Sequence, residues 1–147
     1  MLQIKKIYKL EDFYPELTKE EFIDFLNKYL GRFGDPKEQI EMSIDYAFSE
    51  AEGKGGFLLA GFWNKKLVGT LVMNKTGMSG YIPDNILVYV AVDSSLRGKG
   101  IGAQLIKKSF ELAEGDVKLH VEYDNPAKRL YERLGMTTKY AEMRLIK

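Results

Sequence analysis

Apolar positions change period several times along the 147-residue chain, and each change marks an element. Ile4 and Tyr8 flank Ile7 in residues 3–10, which predicts a first strand. Thr18 followed by Glu21 is a capping box, so a helix is expected to start there. Phe22, Phe25, Leu26, Tyr29 and Leu30 form its stripe, and Gly31 or Gly34 ends it. Asp35-Pro36 predicts a second helix, with Asp35 as N-cap, Pro36 at the first helical position and Ile40, Ile44, Ala47 and Phe48 buried. Residues 57–63 and 66–73 read as strands joined by a turn at Asn64-Lys65. Residues 86–92 are an unbroken, β-branched apolar run, the pattern of a strand covered on both faces. Ile101, Leu105 and Ser109, with Gly102, Ile106, Phe110 and Ala113, recur at helical spacing, and Gly115 is the expected stop.

Residues 117–123 alternate, with Val117, Leu119, Val121 and Tyr123 on one face and Lys118, His120 and Glu122 on the other. A fourth helix is expected from Pro126, capped by Asp124 or Asn125, with Ala127, Leu130, Tyr131 and Leu134 inside and Gly135 just past its end. Residues 139–146 read as a last strand. The sum is one α/β domain over residues 1–147, a mixed sheet of about six strands with four helices.

Composition narrows the function. The chain is 45% apolar and 29% charged, the balance of an ordinary globular domain. A net charge of +1 gives no global field for nucleic acid or an anionic membrane, and no apolar run approaches the ~20 residues of a membrane span. With no cysteine there is no disulfide framework and no thiol nucleophile, and nothing calls for a metal. A cytoplasmic location is expected.

The basic character is local. Arg97-Gly98-Lys99-Gly100-Ile101-Gly102 follows the apolar strand and runs straight into the third helix. A helix N-terminus carries unpaired N–H groups and about half a positive charge. Glycines remove the Cβ atoms that keep a bulky anion off those donors, so the loop reads as a phosphate or pyrophosphate seat. A ligand-free strand-to-helix turn has the same local pattern. Residues 98–103 also fit a dinucleotide fingerprint, but that motif normally opens a long doubly wound sheet, and here it lies in the last third of the chain.

Arg-x-x-Gly-x-Gly after a strand ending Val90-Ala91-Val92 resembles the acetyl-CoA-binding motif of the GNAT (Gcn5-related) N-acetyltransferase superfamily. Asn125-Pro126-Ala127-Lys128-Arg129-Leu130-Tyr131-Glu132-Arg133-Leu134-Gly135-Met136 resembles that family's second motif, in the right order and at the usual separation. The resemblance implies the GNAT acyl-CoA N-acyltransferase fold with splayed central strands, and acetyl-CoA as cosubstrate. It places the pyrophosphate on the N–H groups of Gly98, Lys99, Gly100, Ile101, Gly102 and Ala103, with Arg97 beside them, and the pantetheine arm along Val90, Ala91 and Val92. It makes Tyr131 the proton donor to the departing thiolate, against a purely packing role on its apolar stripe. The family's asparagine commonly stands seven residues before this tyrosine, where this chain has Asp124, so Asn125 or Asp124 fills the pantetheine slot. The general base is open between Glu122, His120 and a water chain.

The expected activity is acetyl transfer to a primary amine of a small molecule or a protein N-terminus, by direct attack in a ternary complex. The alternatives are a non-catalytic acyl-CoA-binding regulatory module and a nucleotide-binding protein. The expected partner is an amine acceptor, with no nucleic acid and no membrane; a homodimer is compatible with the sequence.

Overall fold

β1 (Gln3–Ile7), β2 (Gly56–Trp63), β3 (Lys66–Lys75), β4 (Asn85–Val92) and β5 (Val117–Leu119) lie side by side in that order in a computed structural model that describes residues 1–147. Neighbours among the first four are antiparallel, and β4 pairs with β5 in parallel. The β2–β3 turn is Asn64-Lys65, both with positive φ, the two-residue geometry that matches strand twist. The parallel connection needs a crossover, which α3 (Ile101–Leu112) provides.

Helices α1 (Lys19–Leu30) and α2 (Lys37–Phe48) cover one face of the sheet, burying Phe22, Leu26, Ile40 and Ile44 against Leu58, Ala60, Val72 and Ala91. Helix α3 and the short α4 (Ala127–Arg133) cover the other face, with Ile101, Leu105 and Tyr131 against Leu59, Leu71, Met73 and Leu87. The apolar run of β4 is thus buried from both sides, as its sequence predicts.

The capping box of α1 forms as expected: the Thr18 hydroxyl accepts from the Glu21 amide and the Glu21 carboxylate accepts from the Thr18 amide. Thr18→Ala is expected to lower stability by about 1 kcal/mol, read as a lower urea midpoint at unchanged slope. An unmoved midpoint would mean the cap contributes nothing.

Four local expectations need correction. Residues 139–146 do not form a strand, and the sheet has five strands, close to the six or so expected. The physical reason is the missing partner: β5 stops at Leu119 instead of continuing to Tyr123, and no backbone hydrogen bond is made beyond Met136. Asp35 does not cap α2; Pro36 is the N-cap, without a side-chain bond. The α3 helix ends at Leu112, and Gly115 takes its positive φ in the turn that follows.

Candidate active site

Two irregularities in β4 build the site. Val72 opposes Tyr89 while Met73 opposes Leu87, so Val88 is an extra residue, a β-bulge. The bulge resets the alternation: Leu87 faces α3 and α4, whereas Val88, Tyr89 and Ala91 face α1 and α2, and Val90 and Val92 return to the α3 side. The second irregularity is on the other edge. β5 pairs only with Asn85, Ile86 and Leu87, so from Val88 onward β4 has no strand on that side. The Asp93 amide turns toward β3 and donates to the Val68 carbonyl at 2.9 Å. By strand alternation Ala91 also turns its backbone to β3, and Val90 and Val92 turn theirs to the free edge.

This edge runs into the N-terminus of α3 through a braced turn. Asp93 is 4% exposed and its carboxylate accepts from the Ser95 amide at 3.0 Å and the Ser95 hydroxyl at 2.8 Å. Lys66 approaches the other oxygen at 3.5 Å. The Ser95 bonds foremost, with Lys66 behind them, hold the Asp93 carboxyl below the usual carboxylate range. The Asx-turn propensity of Asp before Ser is the local sequence signal for this turn.

Gly98 and Gly100 follow with φ of +82° and +79°, and a Cβ built on either meets nothing within 4 Å. The space immediately over these two glycines is therefore open. Gly100 is the N-cap, offers no side-chain bond, and leaves the amides at the start of α3 uncapped by protein. Ile101 contributes only its backbone, since its side chain is in the core. Gly102 differs from its neighbours: its Cβ would lie 3.5 Å from Leu130 and from Val92, pointing inward between helix α4 and the strand. Half-buried Ala103 sits one turn position further on. Lys99 stands with its ammonium 6.0 Å from the Trp63 ring centroid, and the Arg97 guanidinium donates to the Tyr29 carbonyl at 3.4 Å. Arg97 and Lys99 are both exposed at the seat.

Tyr131 lies in the same apolar cluster as Leu87, Val90 and Val92, 9% exposed. Its hydroxyl has no hydrogen-bond partner in the protein, and burial alone pushes its pKa up to about 12. Asn125 is committed locally: its side-chain oxygen accepts from the Ala127 amide at 2.9 Å, although Pro126, and not Asn125 or Asp124, is the N-cap of α4. Asp124 is exposed and paired with Arg32 at 2.9 Å. That bond holds the Asp124 carboxyl below the usual range.

The strand edge, the start of α3 and Tyr131 meet in one apolar cluster, and neither candidate base makes a side-chain hydrogen bond to them. Glu122 is exposed in the turn after β5, its carboxylate unbonded and its carbonyl accepting from the Asn125 amide. His120 is exposed at the end of β5. Partial desolvation by its neighbours and then the charge of Lys118 lower its pKa, against the opposing pull of Glu142. No group of His, Asp or Glu side chains converges as a metal site, and no helix is long and apolar enough to cross a membrane.

The face covered by α1 and α2 holds contacts that sequence reasoning missed. The Tyr89 hydroxyl donates to Asp35 at 2.5 Å. Burial, and then the Asp35 bond, raise the Tyr89 phenol above an ordinary tyrosine. Arg32–Asp124 ties the α1–α2 connection to the turn before α4. These pairs are 54 and 92 residues apart, so no local pattern announces them. An open polar cleft of about 550 Å³ lies beside Tyr123, Asp124 and the outer side of α4; it is separate from the glycine seat.

Comparison with known proteins bears on what this arrangement does. The profile described as "Acetyltransferase (GNAT) family" matches residues 9–136. No curated protein matches the sequence significantly. Among solved structures, an aminoglycoside N-acetyltransferase, AAC(6')-Iy in complex with CoA, superposes with a TM-score of 0.73 at 12% identity, covering 100% of this chain and 95% of that one. A ribosomal-protein-alanine N-acetyltransferase from Brucella melitensis biovar Abortus 2308 gives 0.68 at 17% identity, covering 100% and 99%. A GNAT-family acetyltransferase from Streptococcus pneumoniae TIGR4 gives 0.68 at 20% identity, covering 100% and 98%. Similarity at these identities concerns the fold.

Proposed function

The chain belongs to the acetyltransferase (GNAT) family, and from that premise we propose that it transfers the acetyl group of acetyl-CoA to a primary amine of a small molecule or a protein N-terminus. One observation carries the reading: the free edge of β4 at Val90 and Val92 leads directly into the open, glycine-lined mouth of α3. A cradle that a Cβ would fill, at a helix N-terminus with no protein cap, fits a diphosphate. A free strand edge beside it fits an amide-bearing arm that pairs as an added strand. The neighbour solved with CoA supports the same assignment.

When bound, acetyl-CoA supplies an acyl group activated as a thioester. The chain's own residues then do the following. Amides from Gly98 to Ala103 hold the diphosphate, with Arg97 and Lys99 adding charge at the rim. Backbone groups of Val90 and Val92 orient the arm; Ala91 between them serves β3. An N–H at this edge donates to the carbonyl oxygen as charge grows there, worth ~3–4 kcal/mol in other enzymes. Holding both reactants in a single complex contributes ~7–11 kcal/mol. Tyr131 keeps its proton for the departing sulfur. Asn125 assists the arm with its amide N–H₂, the side-chain oxygen being engaged by Ala127. Glu122 or His120 reaches the amine through water.

Calorimetry with acetyl-CoA, followed by thiol release over a panel of amines, tests the proposal. Binding in the micromolar range with amine-dependent thiol release is expected. Binding without release for any amine would leave an acyl-CoA-binding module, and no binding at all would remove the family chemistry from this chain.

A further inference from the structure

Asp35 is a carboxylate whose neighbouring cations are engaged elsewhere. Arg32 pairs with Asp124 at 2.9 Å and Lys37 with Asp24 at 2.8 Å. Arg144, which feels the Asp35 charge, is paired with Glu142. The one side chain bonded to Asp35 is the neutral phenol of Tyr89, and it engages a single oxygen, Oδ2. Asp35 itself is exposed, so its other oxygen is accessible to a ligand.

Position gives this pair its meaning. Tyr89 is one residue from Val90, whose backbone faces the free edge of β4, and its ring crosses the α1/α2 face to reach Asp35. The carboxylate therefore stands a full tyrosine side chain away from the backbone that would hold a thioester. A carboxylate with no base to hand the proton on to stabilises an amine in its protonated form, which suits a charged group that does not react. A second positive charge further along the acceptor meets that condition.

We propose that Asp35, oriented by the Tyr89 hydroxyl, seats a second ammonium group of a diamine- or polyamine-type acceptor while the reacting amine lies against β4. The inference rests on the acetyl-transfer reading above and deepens it by naming the acceptor class. Tyr89 is a positioning residue here: it fixes one carboxylate oxygen and leaves the other for an alkylammonium, a compact donor of three hydrogen bonds. Because Asp35 is solvent-exposed, the discrimination is expected to be about two- to fivefold rather than larger.

The test is calorimetry on the CoA-bound protein with putrescine and butylamine. Wild type is expected to bind the diamine about two- to fivefold more tightly. Asp35→Asn keeps an oxygen for the Tyr89 bond, so the fold is retained; it should abolish the preference while butylamine and CoA still bind. Tyr89→Phe should reduce the preference without abolishing it. Equal binding of the two amines by wild type overturns the proposal. So does an Asp35→Asn protein that keeps the preference or loses both amines alike. Thiol release is read separately: a diamine preference in binding with no thiol release from acetyl-CoA would refute acetyl transfer and leave the Asp35 seat standing.

Discussion

Gly100→Val is expected to weaken CoA binding by about a hundredfold or more, while Gly102→Ala, two residues away, leaves it close to wild type. The contrast follows from where each missing Cβ would point. At Gly100 the φ of +79° is a conformation that a β-branched residue strongly disfavours, and the added atoms would stand in the open space over the α3 mouth. Amide-to-anion hydrogen bonds contribute roughly 1.5–3 kcal/mol each, so losing two gives at least a hundredfold. At Gly102 the methyl would point inward, 3.5 Å from Leu130 and Val92, an ordinary packing distance. Thermal melting separates the seat from the fold: a Gly100→Val protein that melts near wild type and fails to bind has lost its seat alone. Should both variants bind CoA equally well, the helix mouth is not where the diphosphate rests.

Much of this site is legible in the sequence because much of it is local. The glycine loop, the uncapped helix start and the stripe that carries Tyr131 are set by residues within a few positions of one another. The same holds for the Thr18–Glu21 box, whose two bonds form as their spacing predicts. What sequence could not supply are features fixed by a distant partner. The bulge at Val88 exists only relative to β3, and it decides that Tyr89 faces α1 and α2 rather than α3. Asp35 has the composition of an N-cap, yet a phenol 54 residues away claims its carboxylate. Residues 139–146 have the alternation of a strand, but a strand needs a neighbour, and β5 is three residues long. Local propensity proposes a conformation; a partner for the backbone decides it.

Tyr131→Phe should reduce turnover by about a hundredfold or more with CoA affinity and melting temperature nearly unchanged. The ring is 9% exposed in the cluster formed by α3, α4 and β4, and phenylalanine keeps that packing. Only the hydroxyl is removed, and in the free protein it bonds to nothing, so no structural bond is lost. Burial pushes the phenol up to about 12, so it is protonated throughout the working range and has a proton to donate. The same apolar surroundings raise the pKa of a thiol placed beside it, which keeps donor and acceptor within reach of each other. The contribution begins as a hydrogen bond to sulfur as negative charge develops, before the proton moves. Turnover in wild type should accordingly show no alkaline limb from this group below about pH 10, two units under its pKa. A Tyr131→Phe protein that turns over at the wild-type rate would reduce Tyr131 to a packing residue and leave the departing sulfur to be protonated by water.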